Sequence, residues 1–197
     1  MRLLLASKSQ TRQRMLEAAG VPFELVPAEL DEEEAKQGLI ATGFEPRDLA
    51  EMLAEMKARA AGPRNDALVL GADQVLERED GSLLSKPSSP DALSEQLRSL
   101  SGRLHYLHSA AVVFEGAERA WGHTETVALR MRRLSDRFIR DYVAREYEAV
   151  RWNVGGYRIE GSGVQLFEAV EGSHFAILGM PLLPLLAYLR ERGLLSS

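Results

Sequence analysis

Residues 3–6, "LLLA", form an unbroken apolar run that stops at two serines. A run without alternation predicts a short strand over 2–6, buried on both faces. Residues 10–19 then read as a helix closed by Gly20, and "FELV" at 23–26 as a second short strand. Residues 28–45 mix acids with glycine and predict a loop. Over 46–61 the apolar positions Leu49, Met52, Leu53, Met56 and Ala60 recur at spacings of three and four, which predicts an amphipathic helix. "ALVLGADQVL" at 67–76 reads as a strand entering a polar site, and "EDGS" at 79–82 as a hairpin turn. A helix is predicted over 90–100. Two long strands, 104–114 and 120–132, join through "EGAE", and a further helix covers 135–147 with Ser135 as its N-cap. The glycine-rich "NVGGYRIEGSG" leads to a short apolar segment and a last helix over 180–193. Strands and helices mingle without strict alternation, so the expected fold class is α/β with a mixed sheet.

Composition narrows the class. The 197 residues suit one domain, or one domain with two lobes, and 45% hydrophobic content supports a sizeable core. A net charge of −5, from 24 basic and 29 acidic side chains, argues against a protein that coats nucleic acid. A small anionic ligand stays open, because a few local cations outweigh the global sign. There is no cysteine, which excludes disulfides, thiolate zinc sites and cysteine nucleophiles. "MRLLLAS" reads as a first strand rather than a signal peptide. "FAILGMPLLPLLAYL" holds two prolines and is short for a membrane span. The expectation is a soluble cytoplasmic protein.

Several stretches have the residue types for anion chemistry. Ser7 and Ser9 precede a helix whose free N–H groups attract phosphate. Arg12 shares the inward face of Met15 and Leu16, whereas Arg14 lies about 200° around and faces water. Ser9 as a plain cap with Arg12 in a surface pair is the competing explanation. Lys57 follows Leu53 by four on the apolar stripe, so it either snorkels or projects into a cavity holding negative charge. Asp73 follows six small or apolar residues, where a carboxylate costs several kcal/mol, on the order of a buried charge, unless it is paired. Proline holds Lys86 in extended geometry. Glu32, in the acidic run 31–34, is either solvated surface or an oxygen ligand for a divalent metal together with Asp73. In "WNVGGYRIEGSG", Trp152 and Tyr157 are candidates for stacking on a base. The four histidines show no zinc-ligand spacing, and no G-x-S-x-G elbow is present.

Taken in order, "LASKSQTRQRML", "DE" at 31–32, "MKARA", "GADQV", "SKP", "LSG", "GGYRIEG", "VEG" and "LGMPL" resemble the Maf family of nucleoside triphosphate pyrophosphatases nearly end to end. The resemblance implies a single domain over 1–197, of elongated, inosine-triphosphatase-like fold, with two lobes flanking a central cleft. It implies hydrolysis of a nucleoside triphosphate to a monophosphate and pyrophosphate with a divalent metal, Mg²⁺ or Mn²⁺. Ser7, Ser9, Arg12, Lys57 and Lys86 match the family's phosphate-handling positions, Glu32 an acid near the metal, and Asp73 the proton acceptor. Departures occur at Gln10-Thr11-Arg12, where the family often has Pro-Arg-Arg, and at Ser85 and Ser109-Ala110 in place of glycine and threonine-glycine.

The family divides by substrate. Its dTTP- and UTP-directed group usually carries Thr after the catalytic Asp and Gln in the "Ile-x-Gly" segment. Gln74 and Glu160 here are similar to the group acting on 7-methyl-GTP. A carboxylate suits the positive charge of a 7-methylated guanine, unless Glu160 pairs with Arg158 or Lys57 instead. Two alternatives accompany the enzyme reading: a non-catalytic nucleotide-binding regulator of septum formation, and a phosphatase releasing orthophosphate. No nucleic-acid polymer or membrane partner is expected. The strands within 104–132 offer a surface for a homodimer.

Overall fold

The computed structural model describes residues 1–196. Its strands are β1 (Arg2–Ala6), β2 (Glu24–Leu25), β3 (Arg64–Arg78), β4 (Leu83–Leu84), β5 (Leu104–Gly116), β6 (Glu118–Met131) and β7 (Phe167–Glu171). Their hydrogen-bonded order is β2-β1-β3-β5-β6-β7, with β4 on β3. β1 runs parallel to β2 and to β3, in register from Arg2↔Ala67 to Ala6↔Gly71. β3–β4 and β6–β7 are antiparallel. The sheet is mixed, as the interleaving of strand and helix patterns predicts. The helices are α1 (Gln10–Ala18), α2 (Glu32–Ala41), α3 (Pro46–Ala60), α4 (Pro90–Leu100), α5 (Asp136–Val150), α6 (His174–Ile177) and α7 (Leu182–Glu191). Among the described residues no helix is long and apolar enough to cross a membrane.

The chain divides into two compact units. The first comprises Met1–Gln74, Ser109–Glu125 and the segment from Ser173 onward. Here Leu3, Leu5, Leu68, Leu70 and Ala72 project from the strands onto Met15 and Leu16 of α1 and Leu185 and Leu189 of α7. Strand residues alternate faces, so Gly71 points the other way, toward α3. A Cβ on Gly71 would run into the Ala54 carbonyl oxygen and sit 2.7 Å from the Ala58 amide nitrogen. Glycine at this position lets the helix carrying Lys57 lie directly on the strand carrying Asp73.

The second unit comprises Val75–His108 and Thr126–Gly172. α4 and α5 begin at serine caps: Ser89 Oγ accepts from the Ala92 N–H and Ser135 Oγ from the Phe138 N–H. α4 buries Leu93, Leu97 and Leu100, at spacings of four and three. The "EDGS" turn closes with the Arg78 N–H donating to Ser82 O, and Gly81 takes φ +80°. β7 and the short 3₁₀ turns at 154–156 and 162–166 complete the unit.

Two expectations need correction. Residues 28–45 are not a loop throughout, since α2 occupies Glu32–Ala41. The Asp31 carboxylate caps it, accepting from the Glu34 N–H at 3.0 Å, and Glu32, Glu33 and Glu34 in its first turn suit the helix dipole. No residue of α2 is buried, so no apolar periodicity marks it. β3 runs from Arg64 to Arg78, longer at both ends than the 67–76 expected, with Asp73 inside it. The expected last helix stands as α7, with a short α6 in the apolar segment before it.

Candidate active site

The first unit gathers most of the expected residues. Ser9 caps α1, its Oγ accepting from the Arg12 N–H at 3.4 Å. Ser7 Oγ accepts from the Ser9 N–H and from Arg12 Nη1, both at 3.3 Å. Arg12 Nε donates to Gly179 O at 2.8 Å, and the side chain is buried. Burial pulls the Arg12 guanidinium down from its ordinary value, while the charges of Asp73 and Glu32 pull it back up. Ser9 therefore caps as the bland explanation says, but Arg12 is no surface residue. Arg14 faces solvent.

Lys57 does not snorkel. Its side chain is 7% exposed, and Nζ lies 3.1 Å from Glu32 Oε2 and 3.2 Å from Asp73 Oδ1. A buried ammonium needs compensation of this kind, and two carboxylates supply it. Asp73 Oδ1 also accepts from the Gln74 N–H at 2.8 Å. Its second oxygen has no bond to the described protein and is not sealed from solvent. Ser7, Glu32 and Lys57 form part of the wall of a 380 Å³ cavity, together with Lys8, Gln13 and the apolar stretch Leu25–Ala28. Asp73 and Gln74 lie just beyond the last β1–β3 pair, Ala6↔Gly71. It is β1 that ends here, and the carboxyl ends of strands are where α/β sheets open crevices.

Gln74 faces away from Lys57. Its amide nitrogen donates to Ser109 Oγ, Ala176 O and Ile177 O. Those carbonyls end α6, and the Ala176 carbonyl also accepts from the Gly179 N–H at 3.0 Å. Ser109 appears in the sequence only as a departure from the family pattern. It proves to be fully buried and bonded to the same carbonyl of Ala176. Its partners are main-chain atoms, so no side-chain motif marks the contact.

The remaining candidates belong to the second unit. Lys86 is exposed beside a buried Pro87. Glu160 is exposed and forms no ion pair among the described residues; Arg158 faces Glu146 at 3.9 Å and Lys57 is engaged as above. Trp152 is exposed, with the Arg151 guanidinium 4.7 Å from its ring. Tyr157 is not available to a base: it is buried, and its hydroxyl lies 2.9 Å from His105 Nε2. Burial pushes the Tyr157 hydroxyl up and pulls the His105 imidazole down to about 4. His108 is buried, its ring nitrogens 2.7 Å from Glu77 Oε2 and 2.9 Å from Thr126 Oγ1.

No three His, Cys, Asp or Glu side chains cluster as a metal site among the described residues. Glu32 and Asp73 nevertheless fit a hard cation, because Mg²⁺ commonly takes one or two carboxylates and completes its shell with substrate phosphate and water.

Residues 2–192 match the family model described as Maf-like protein. A nucleoside triphosphate pyrophosphatase of Ruegeria pomeroyi is 47% identical over 99% of this chain and 98% of its own length. A 7-methyl-GTP pyrophosphatase of Rhizobium meliloti is 44% identical over 99% and 98%. Among solved structures, a nucleoside-triphosphatase / dITP/XTP pyrophosphatase of Mycobacterium abscessus shares 17% identity over 98% of this chain and 96% of that one, with a TM-score of 0.41. The ordered motifs, the pairing of Lys57 with Glu32 and Asp73, and likeness along the whole length converge, and the chain belongs to the Maf family.

Proposed function

We propose that this chain hydrolyses a nucleoside triphosphate to the monophosphate and pyrophosphate, with Asp73 as the base. The observation that carries the reading is Lys57, a buried ammonium set between Glu32 and Asp73, two carboxylates that also act electrostatically on buried Arg12. Lys57, whose carboxylate partners phosphate oxygens would replace, and Arg12, whose guanidinium bonds only Gly179 O and Ser7 Oγ among the described residues, are two cations matched to a polyphosphate. Ser7 and Ser9 add hydroxyls at the α1 N-terminus, where phosphate is favoured. Asp73 takes a proton from the water that attacks the α-phosphorus. The bond from α-phosphorus to its bridging oxygen breaks, and pyrophosphate leaves with its charge met by Lys57 and Arg12. Glu32 and Asp73 would hold Mg²⁺ or Mn²⁺, which would supply further neutralisation of phosphate charge.

Lys86 and Glu160 take roles by family position alone, Lys86 in phosphate handling and Glu160 in base choice. With Gln74, Glu160 supports a preference for 7-methyl-GTP, in keeping with the name of the Rhizobium relative. A homodimer is proposed on the 104–132 strands.

The test is product release from ordinary and 7-methylated triphosphates, with and without added Mg²⁺ or chelator. Pyrophosphate, released only with metal present, is the expected product. Orthophosphate would make the protein a phosphatase, and tight nucleotide binding without turnover a regulator. For specificity, Gln74→Thr with Glu160→Gln is expected to lower the ratio of 7-methyl-GTP to UTP turnover. An unchanged ratio moves base selection elsewhere.

A further inference from the structure

Gln74 spends its donor capacity inside the protein. Its amide nitrogen lies 2.9 Å from Ser109 Oγ, 2.9 Å from Ala176 O and 3.0 Å from Ile177 O. Ser109 Oγ sends its own proton to Ala176 O at 2.6 Å, so toward Gln74 it only accepts. Turned over, the amide would set its oxygen against three acceptors and leave the Ile177 carbonyl without this donor. Such an arrangement is disfavoured in this part-buried setting. The orientation of the amide is thus dictated by its surroundings. What Gln74 has left is Oε1, which makes no bond within the described protein and is not sealed from solvent. Its neighbour in the strand is Asp73.

We propose that Ser109 is a positioning residue that locks Gln74 as a hydrogen-bond acceptor toward the substrate, so that this position selects a nucleobase presenting an N–H. For a guanine the donors are N1–H and the 2-amino group. The inference rests on the reading of the chain as a nucleoside triphosphate pyrophosphatase with Gln74 in substrate binding. It adds a direction to that contact: Gln74 accepts and does not donate. A purely structural Ser109–Gln74–α6 tie would affect stability and all substrates alike, and leave discrimination between bases untouched.

The test compares kcat/KM for GTP, for ITP, which lacks the 2-amino group, and for 1-methyl-GTP, which lacks N1–H. On the wild-type protein at least one analogue is expected to fall about five- to tenfold below GTP, the scale of one neutral hydrogen bond. That penalty shrinks below about twofold in Gln74→Met and in Ser109→Ala, and returns in Ser109→Thr, which keeps the hydroxyl. Equal values for the three nucleotides on the wild type overturn the inference, and so does a penalty undiminished in Gln74→Met. The wild-type comparison needs no variant to fold. Absence of pyrophosphate from every triphosphate would instead remove the enzymatic reading. The three dissociation constants, measured by calorimetry, would then decide the Gln74 inference separately: GTP binding tighter than an analogue supports it, and equal binding overturns it.

Discussion

One ammonium, Lys57, engages both carboxylates assigned to chemistry. Replacing Asp73 by Asn keeps an oxygen near Lys57 Nζ and removes the proposed base. Turnover is expected to fall about 10²-fold or more with the melting transition little changed; near-wild-type pyrophosphate release by Asp73→Asn would falsify its role. Much of this site was legible in the residues alone. An Asp after six small or apolar positions and a Lys on an apolar stripe both demand compensation, and they compensate each other. Arg12 was legible from its inward helical phase. Ser109 was not, because its partners are carbonyls of Ala176 and the Gln74 amide, brought together only by the fold. Tyr157 misled for a related reason: an aromatic beside glycines suggests an open platform, whereas the rings of His105 and Phe167 enclose it.

The buried stripes of α1 and α3 follow from spacing of three and four, and α4 and α5 bury stripes of the same kind. No such spacing marks α2, because a helix that buries nothing has no stripe to read. It depends on its Asp31 cap and on the Glu32 link to Lys57. Asp31→Ala is expected to destabilise α2 locally by about 1 kcal/mol, seen as faster amide exchange over 32–41. The α3–β3 contact is of the opposite kind, with no slack. Gly71→Ala is expected to lower stability by about 1–3 kcal/mol in urea titration, the range for overpacking, because the Ala54 carbonyl is backbone and cannot rotate away. The same displacement would separate Lys57 from Asp73, so activity falls with stability.

For the molecule as a whole, acid sensitivity follows from His105. It is fully buried with Nδ1 unpartnered, and its pKa is depressed to about 4 from an ordinary 6.5. Above pH 6.5 it is neutral folded or unfolded. Below that the unfolded chain binds the proton first, so stability falls between pH 6.5 and about 4 and then levels off. The loss amounts to about 3 kcal/mol. Equilibrium unfolding across that range measures it, and His105→Gln is expected to flatten the slope. A different consequence follows from the make-up of the first unit, whose core joins Leu3 and Leu5 to Leu185 and Leu189. During synthesis the opening strand waits for its closing helix: a ribosome-bound chain halted before residue 182 carries β1 without that cover, open to proteases and chaperones alike.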